Sequence, residues 1–379
     1  MRVAVLTFYG ALNYGAMLQA FALWRYLEGI GHEVVFIKHF CTAPARLPLW
    51  RCFFSRRIRG IRKKLESYVW FSMRSFVSAL PQTEYCKSLE DIMKATSACD
   101  GFIVGSDQMW NPMWCATKWL PLVMLDFVPN GKKRIAYAVS FGTNTWGCYA
   151  NEDVAGSMIR KFDSISVREH SGLALIEEIS GREDAKWLID PTLLFGAEFY
   201  SQVSDSSRYK VCPDKGKYIF KYMLGGWDDK SDASYIIDAL KKSKGILNIQ
   251  CDRVRAMGWL PFLSSAFGVK ARISVCSWLR KIEGAGVVVT NSYHGVIFSI
   301  IYHRPFVAIL LRGHYEGMND RILSLLVALG LERLAVYSDD IAAIKAAISL
   351  SIDWVDVESR LDTYRNTAKM FLMGCLNGL

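Results

Sequence analysis

A histidine stands where an α/β chain most readily does chemistry. His294 lies within VVVTNSYHGVIFSIIYHRPFVAIL, from Val287 to Leu310. The β-branched run Val287 to Thr290 has the character of a strand buried in a parallel sheet. It stops at Asn291, Ser292 and Tyr293. His294-Gly295 then opens an apolar helix expected over Val296 to Tyr302, and a second strand is expected from Pro305 to Leu310. Ligands of open α/β sheets sit beyond the carboxyl ends of the strands. A helix start there offers unpaired N–H groups and a positive dipole end to an anion. Histidine in that position suits proton transfer near neutral pH. Asn291 and Ser292 fit either ligand contact or helix capping.

Other strand ends carry further chemistry-grade residues. GALNYGA (Gly10 to Ala16) follows the first expected strand, with Asn13 and Tyr14 placed to hydrogen-bond a polar ligand. It is not G-x-G-x-x-G, so no dinucleotide site is implied. GSDQMWNP (Gly105 to Pro112) brings Ser106, Asp107, Gln108 and Trp110 to another strand end. Asp107 could orient or deprotonate a hydroxyl, and Trp110 could stack on a sugar face. The same residues also suit a well-bonded turn. Ser140 opens SFG after a third strand, and Arg168 directly follows SISV. An arginine on the rim of a cleft suits a bidentate clamp on carboxylate or phosphate. It equally suits an ion pair with Glu169 or another acid.

The elements that must position these residues repeat a βα pattern twice. Strands are expected at Arg2–Thr7, Val34–Lys38, Gly101–Val104, Arg134–Val139 and Ser164–Val167, with a helix from Met17 to Gly29, and Trp187 to Ile189 leads into DPTLLF. The aperiodic, polar QVSDSSRYKVCPDKGK (Gln202 to Lys217) reads as a linker. A second block follows, with strands Tyr218–Met223 and Gly245–Gln250 and helices Ala233–Lys242, Ser277–Gly284 and Ile322–Leu329. An amphipathic helix is expected from Ser359 to Leu376. The expectation is an α/β protein of two Rossmann-like domains, residues 1–204 and 205–350, facing across a cleft, with a terminal helix in 351–379.

Composition limits the classes. The 379 residues are 51% hydrophobic, enough for two cores. Ten scattered cysteines include no C-x-x-C pair and no zinc-like spacing. With no secretory signal read at the N-terminus, they fit reduced cytosolic thiols. No run of 18 apolar residues spans a membrane. The net charge of +10 is concentrated: Arg46 to Arg74 holds nine Lys/Arg against one acid, Glu66, with Trp50, Phe53, Phe54, Tyr68, Trp70 and Phe71 interleaved. This pattern suits the anionic inner leaflet of the cytoplasmic membrane. It also suits a solvated face whose aromatics turn to the core. No nucleic-acid motif accompanies the charge.

GALNYGA, GSDQMWNP, SFG, SVRE, DPTLL and TNSYHG occur in this order, and together they resemble the polysaccharide pyruvyl transferase family over about residues 1–335. The resemblance implies a GT-B-like fold. It implies transfer of the pyruvyl unit of phosphoenolpyruvate to two hydroxyls of a sugar, as a cyclic ketal, with phosphate released and neither metal nor cofactor required. The acceptor would be a polymer or polyprenyl-diphosphate-linked oligosaccharide of capsule or exopolysaccharide assembly. By similarity Arg168 binds phosphoenolpyruvate and His294 is the catalytic or phosphate-binding histidine. Asp107 joins His294 as a catalytic candidate. Ser292, Gly295, Lys221 and Arg321 complete the donor side, and Asn13, Tyr14, Gln108, Trp110 and Ser140 the acceptor side. The chain departs from the family's R-L-H at Ser292-Tyr293-His294, where an arginine is missing; Lys221, Arg312, His314 or Arg321 would replace it. Two other classes share these features: a GT-B glycosyltransferase using a nucleotide sugar, and a non-catalytic adaptor of a capsule assembly complex.

Overall fold

The computed structural model describes residues 1–10, 13–39, 73, 76–112, 119–147, 152–205, 215–224, 233–246, 248–255 and 270–377. Apart from Met73, the basic segment 46–74 lies outside them. In the first half, β1 (Arg2–Leu6), α1 (Tyr14–Gly29), β2 (Glu33–Phe36), α2 (Leu89–Ala95) and β3 (Gly101–Val104) lead to α3 (Leu120–Val123) and β4 (Lys133–Val139). Then come α4 (Glu152–Ile159), β5 (Ser164–Val167), α5 (His170–Ser180), β6 (Lys186–Trp187) and α6 (Ala197–Asp205). The second half contains β7 (Tyr218–Tyr222), α7 (Ser234–Lys244), β8 (Asn248–Cys251), the antiparallel pair β9 (Arg253–Arg255) and β10 (Lys270–Arg272), α8 (Val275–Glu283) and β11 (Val287–Thr290). It closes with α9 (Tyr293–Ile301), β12 (Phe306–Ile309), α10 (Asp320–Ala328), β13 (Ala335–Val336), α11 (Ile341–Ser349) and α12 (Trp354–Asn377).

Two parallel sheets result, ordered β2-β1-β3-β4-β5-β6 and β13-β12-β11-β7-β8. Each reverses its direction of growth once, between β1 and β3 in the first and between β7 and β11 in the second. Loops leaving neighbouring strands diverge at such a point and open a crevice. GALNYGA and GSDQMWNP leave the first switch point; the His294 segment leaves the second.

Both faces of the first sheet are covered, which is why β1 is apolar throughout. Val3 and Val5 join a core that runs through α1 into the second half, while Ala4 and Leu6 join a separate core with Phe102, Trp110 and Ile165. The continuity of the first core is made by Tyr14. Its ring stacks on Trp278 of α8 at 5.0 Å and meets Tyr222 edge-on at 5.8 Å, and its hydroxyl donates to the Ile273 carbonyl at 3.0 Å. A second tie joins the N-termini of α5 and α10: Ser171 N–H donates to Asp320 and His170 N–H to Ser324. The last helix begins beside His303, stacked on Trp354, and returns to the first half, where Arg365 donates to the Leu193 carbonyl and Phe371 meets Tyr137.

Several boundaries differ from the sequence expectation for local reasons. Asn13 accepts from Gly15 N–H, so α1 begins at Tyr14 rather than Met17. Ser292 caps α9, which therefore starts at Tyr293 and places His294 inside its first turn. Gly245 is left-handed (φ 65°) and ends α7, so the next strand begins at Asn248. Helix α6 continues through Asp205, into the stretch read as linker, and α11 has no counterpart in the sequence reading.

Trp278 is fully buried against Tyr14, Tyr222 and Phe298. Trp278→Ala should lower the unfolding free energy by about 3–5 kcal/mol, measured by urea denaturation.

Candidate active site at the junction of the two sheets

The centre of the site is a buried charge set. Where β5 ends, the Arg168 side chain is wholly enclosed. Its Nη1 donates to Asp190 Oδ2 at 2.9 Å and Ser106 Oγ at 3.3 Å; its Nη2 donates to Asp107 Oδ1 at 3.0 Å. Asp107 follows β3 with a left-handed backbone (φ 67°), a costly state for a side-chain-bearing residue, and its Oδ1 also accepts the Gln108 N–H at 2.9 Å. Asp190 caps the short 3-10 turn Pro191–Leu194, its Oδ1 accepting from Thr192 N–H (3.0 Å) and Thr192 Oγ1–H (2.7 Å). Ser106 Oγ–H donates to Asp190 Oδ2 at 2.9 Å. Burial alone would raise the Asp190 carboxyl, but His294 and Arg168 outweigh it and hold the group well below the usual carboxylate range.

The second half delivers His294 to the same carboxylate. Thr290 at the end of β11 donates to the Tyr222 carbonyl and accepts the Ser292 N–H, and the Asn291 amide brackets Leu224, accepting from its N–H and donating to its carbonyl. Ser292 Oγ accepts from Gly295 N–H at 3.3 Å. Gly295 is pressed on Thr290 so closely that a Cβ would collide with Oγ1. Thus fixed, α9 directs His294 into the junction. Its Nε2 lies 3.5 Å from Asp190 Oδ2, closed from solvent and without another partner. Its Nδ1 faces Gly15 at the start of α1, where any side chain would strike the imidazole. The first-turn N–H groups of Tyr293 and His294 have no acceptor among the described residues.

A second cation lies alongside. The ring of Tyr293 has the Arg168 guanidinium at 4.8 Å and that of Arg321, from α10, at 5.9 Å. Arg321 donates to the Met318 carbonyl and stands against the Gln108 carboxamide, which is assigned with its oxygen toward Arg321 Nη2 at 2.9 Å. Among the described residues no carboxylate forms an ion pair with Arg321. Burial, then Arg168, push its pKa down to about 10, so it is charged at neutral pH. Nearby, Glu169 accepts from Phe141 N–H at 2.6 Å and Gly142 N–H at 3.2 Å, and burial raises its carboxyl.

His294, Arg168 and Asp107 are therefore brought together, with Arg321 and Gln108 beside them. Arg168, expected on the cleft rim, is instead enclosed, with both terminal nitrogens on carboxylates and its Nε buried without a hydrogen-bond partner. Three of the acceptor-side expectations are corrected by burial. Trp110 is fully enclosed by Phe141 and Phe162, its Nε1–H on the Val123 carbonyl, and so offers no face to a sugar. Tyr14 is the interhalf plug described above. Ser140 is likewise enclosed, its Oγ accepting from Gly142 N–H. Asn13, Ser292 and Gly295 have local roles in capping and packing. Lys221 is half-buried in β7, on the face opposite Tyr222. Arg312 is exposed, paired with Asp339 and set over Tyr337, and His314 is exposed. Sequence reasoning missed Asp190, Glu169 and Gly15 as parts of the site. Asp-Pro-Thr signals only a local cap, and nothing local places Gly15 against a histidine of the other half. Among the described residues no group of His, Cys, Asp or Glu is arranged to hold a metal ion.

The polysaccharide pyruvyl transferase family model matches residues 13–311, and the chain belongs to that family. Comparison with curated sequences gives no match. Among solved structures, a UDP-GlcNAc 2-epimerase from Neisseria meningitidis bound to UDP-GlcNAc has a TM-score of 0.52 at 9% identity over 100% of both chains. S. aureus MnaA with UDP gives 0.53 at 11% identity over 100% of this chain and 97% of that one. Arabidopsis thaliana UGT89C1 gives 0.50 at 12% identity over 99% of each. The fold is GT-B-like, shared by glycosyltransferases and epimerases.

Arg168→Ala would leave Asp107 and Asp190 beside each other without their cation. It should lower stability by about 3–5 kcal/mol, the cost of breaking a buried pair. Arg168→Lys should recover only part of it, because an ammonium cannot span both carboxylates as the fork does. Urea unfolding of both variants reads the difference.

Proposed function

For a member of the polysaccharide pyruvyl transferase family with this junction, we propose the following reaction. The protein moves the pyruvyl unit of phosphoenolpyruvate onto two hydroxyls of one sugar of a lipid-linked oligosaccharide in capsule or exopolysaccharide assembly. The enol CH₂ gains a proton and becomes methyl, and an oxocarbenium-like centre forms at C2. One hydroxyl adds to C2, phosphate departs, and the second hydroxyl closes the ketal. Of the two hydroxyl protons, one balances the methyl and the other leaves on phosphate.

The observation that carries this reading is Arg321. It is a half-buried guanidinium with no ionic partner among the described residues, set against the ring of Tyr293 in the first turn of α9, the turn that also carries His294 and open N–H groups. A small dianion bearing carboxylate and phosphate supplies the charge that this corner lacks. Arg321 thus takes the place of the cation absent at Ser292. His294 is the general acid, and Asp107, partly accessible beside Arg168, orients an acceptor hydroxyl. The basic segment 46–74 would hold the cleft against an anionic leaflet, where a lipid-linked acceptor resides. No helix among the described residues is long and apolar enough to cross a membrane.

Incubation with phosphoenolpyruvate and a panel of lipid-linked acceptors should release phosphate. It should also add to one acceptor the mass of a pyruvate less one water. Turnover of a nucleotide sugar instead would overturn the reading. Within the reaction, His294→Ala should lower kcat by about 10²–10⁴-fold, whereas Arg321→Gln should act chiefly by raising KM for phosphoenolpyruvate. Gly15→Ala offers a separate check. Alanine is the better helix former by about 1 kcal/mol, yet its methyl displaces the His294 ring. The variant should stay folded while kcat falls on the order of 10²-fold, the scale set by small misplacements.

A further inference from the structure

We propose that Asp190 is a positioning residue: one buried carboxylate that fixes the tautomer and direction of His294 while holding Arg168, joining the two halves at one point. The inference rests on reading His294 as the proton-transfer group.

Asp190 is fully buried and has no freedom to turn. Both hydrogen bonds from Thr192 occupy Oδ1, which leaves Oδ2 to Arg168, Ser106 and His294. Arg168 already has Asp107 as a counterion, so adding Asp190 gives the trio a surplus negative charge. The side chain placed against that surplus from the opposite half is the imidazole. At 3.5 Å the approach is longer than a good hydrogen bond, and catalytic contacts of this kind shorten when the substrate is bound. Other groups face the ring as well. Tyr293 packs edge-on from its own helix, and Gly15 brings up the positive end of α1. Of these groups only Asp190 can accept the Nε2 proton. The residue touches no reacting atom; it acts through His294.

Two measurements on the full chain test this. Histidine ¹⁵N NMR, with His294 assigned from the His294→Gln difference, should show the neutral ring as the Nε2–H tautomer. The Nδ1–H tautomer would overturn the proposal, whatever the activity. In kinetics with phosphoenolpyruvate, Asp190→Asn should lower kcat by about 10²-fold with KM little changed. Where that variant fails to fold, Thr192→Val keeps the charge, the Arg168 pair and the backbone N–H bond to Oδ1, and removes only the hydroxyl bond to it. It should lower kcat by a factor of about 5, one lost hydrogen bond. A folded Asp190→Asn with wild-type kcat, or a change confined to KM, also overturns it. Wild-type protein that ignores phosphoenolpyruvate would instead count against the parent reading, and the tautomer would still decide the role of Asp190.

Discussion

An arginine with no exposed side-chain surface must be neutralised, and the architecture of the junction follows from that requirement. Transferring a guanidinium from water into the interior costs several kcal/mol unless its charge and N–H groups are matched. Arg168 is matched by Asp107 and Asp190, which come from different parts of the first half. Asp107 arrives at the end of β3, and Asp190 after β6. The order β3-β4-β5-β6 spreads these points along one edge of the sheet, so the chain after β6 must turn back over the strand ends to reach Arg168. The Asp190 cap with Thr192 performs that turn. Electrostatic satisfaction and backbone direction are thereby the same feature.

The second half then has little choice in where it docks. Its helix α9 carries an imidazole toward the charge set, and Gly15 leaves just enough room for the ring. Tyr14, one residue earlier, fills the space against Trp278 and Tyr222. Adjacent residues on one helix turn thus do opposite things: Tyr14 adds bulk to seal the apolar contact, and Gly15 removes it to admit a polar one. The GALNYGA segment is better understood as this seam than as a surface for a sugar. Its asparagine caps the helix that makes the seam possible.

How far the sequence revealed this follows from the range of the interactions. The central strands of both sheets were legible because burial on both faces demands continuous β-branched runs such as VVVT, whereas the two-residue edge strand β13 was not; His294 was legible from its strand-end position. Capping explains the early starts of α1 and α9, which were visible in kind but not in register. Trp110 was misread because a tryptophan in a polar loop looks exposed; its ring is covered by Phe141 and Phe162, which are distant in sequence. The same limit hid Asp190. DPTLL has a complete local explanation as a capped turn, and only the approach of Arg168 and His294 from elsewhere makes its second oxygen valuable.

A shared fold leaves chemistry open, and here charge placement narrows it. The similar structures include proteins that bind uridine nucleotides, at identities of 9–12%, so the shape of the cleft says little about its occupant. What distinguishes this junction is the contrast between its two arginines around Tyr293. Arg168 is fully compensated, and adding an anion to it would require displacing a buried carboxylate. Among the described residues Arg321 is hydrogen-bonded by an amide and a backbone carbonyl, with Glu169 and Asp107 near but not paired with it, and burial has already weakened its hold on its proton. An incoming anion would therefore gain most at Arg321. Both guanidinium groups lie against the Tyr293 ring, and the repulsion between them helps to lower the pKa of Arg321. Separating the group that binds from the group that reacts lets a protein hold a highly charged donor without fixing the protonation of its acid. In this molecule the two arginines around Tyr293 share their carboxylates unequally: among the described residues Arg168 forms two ion pairs and Arg321 none.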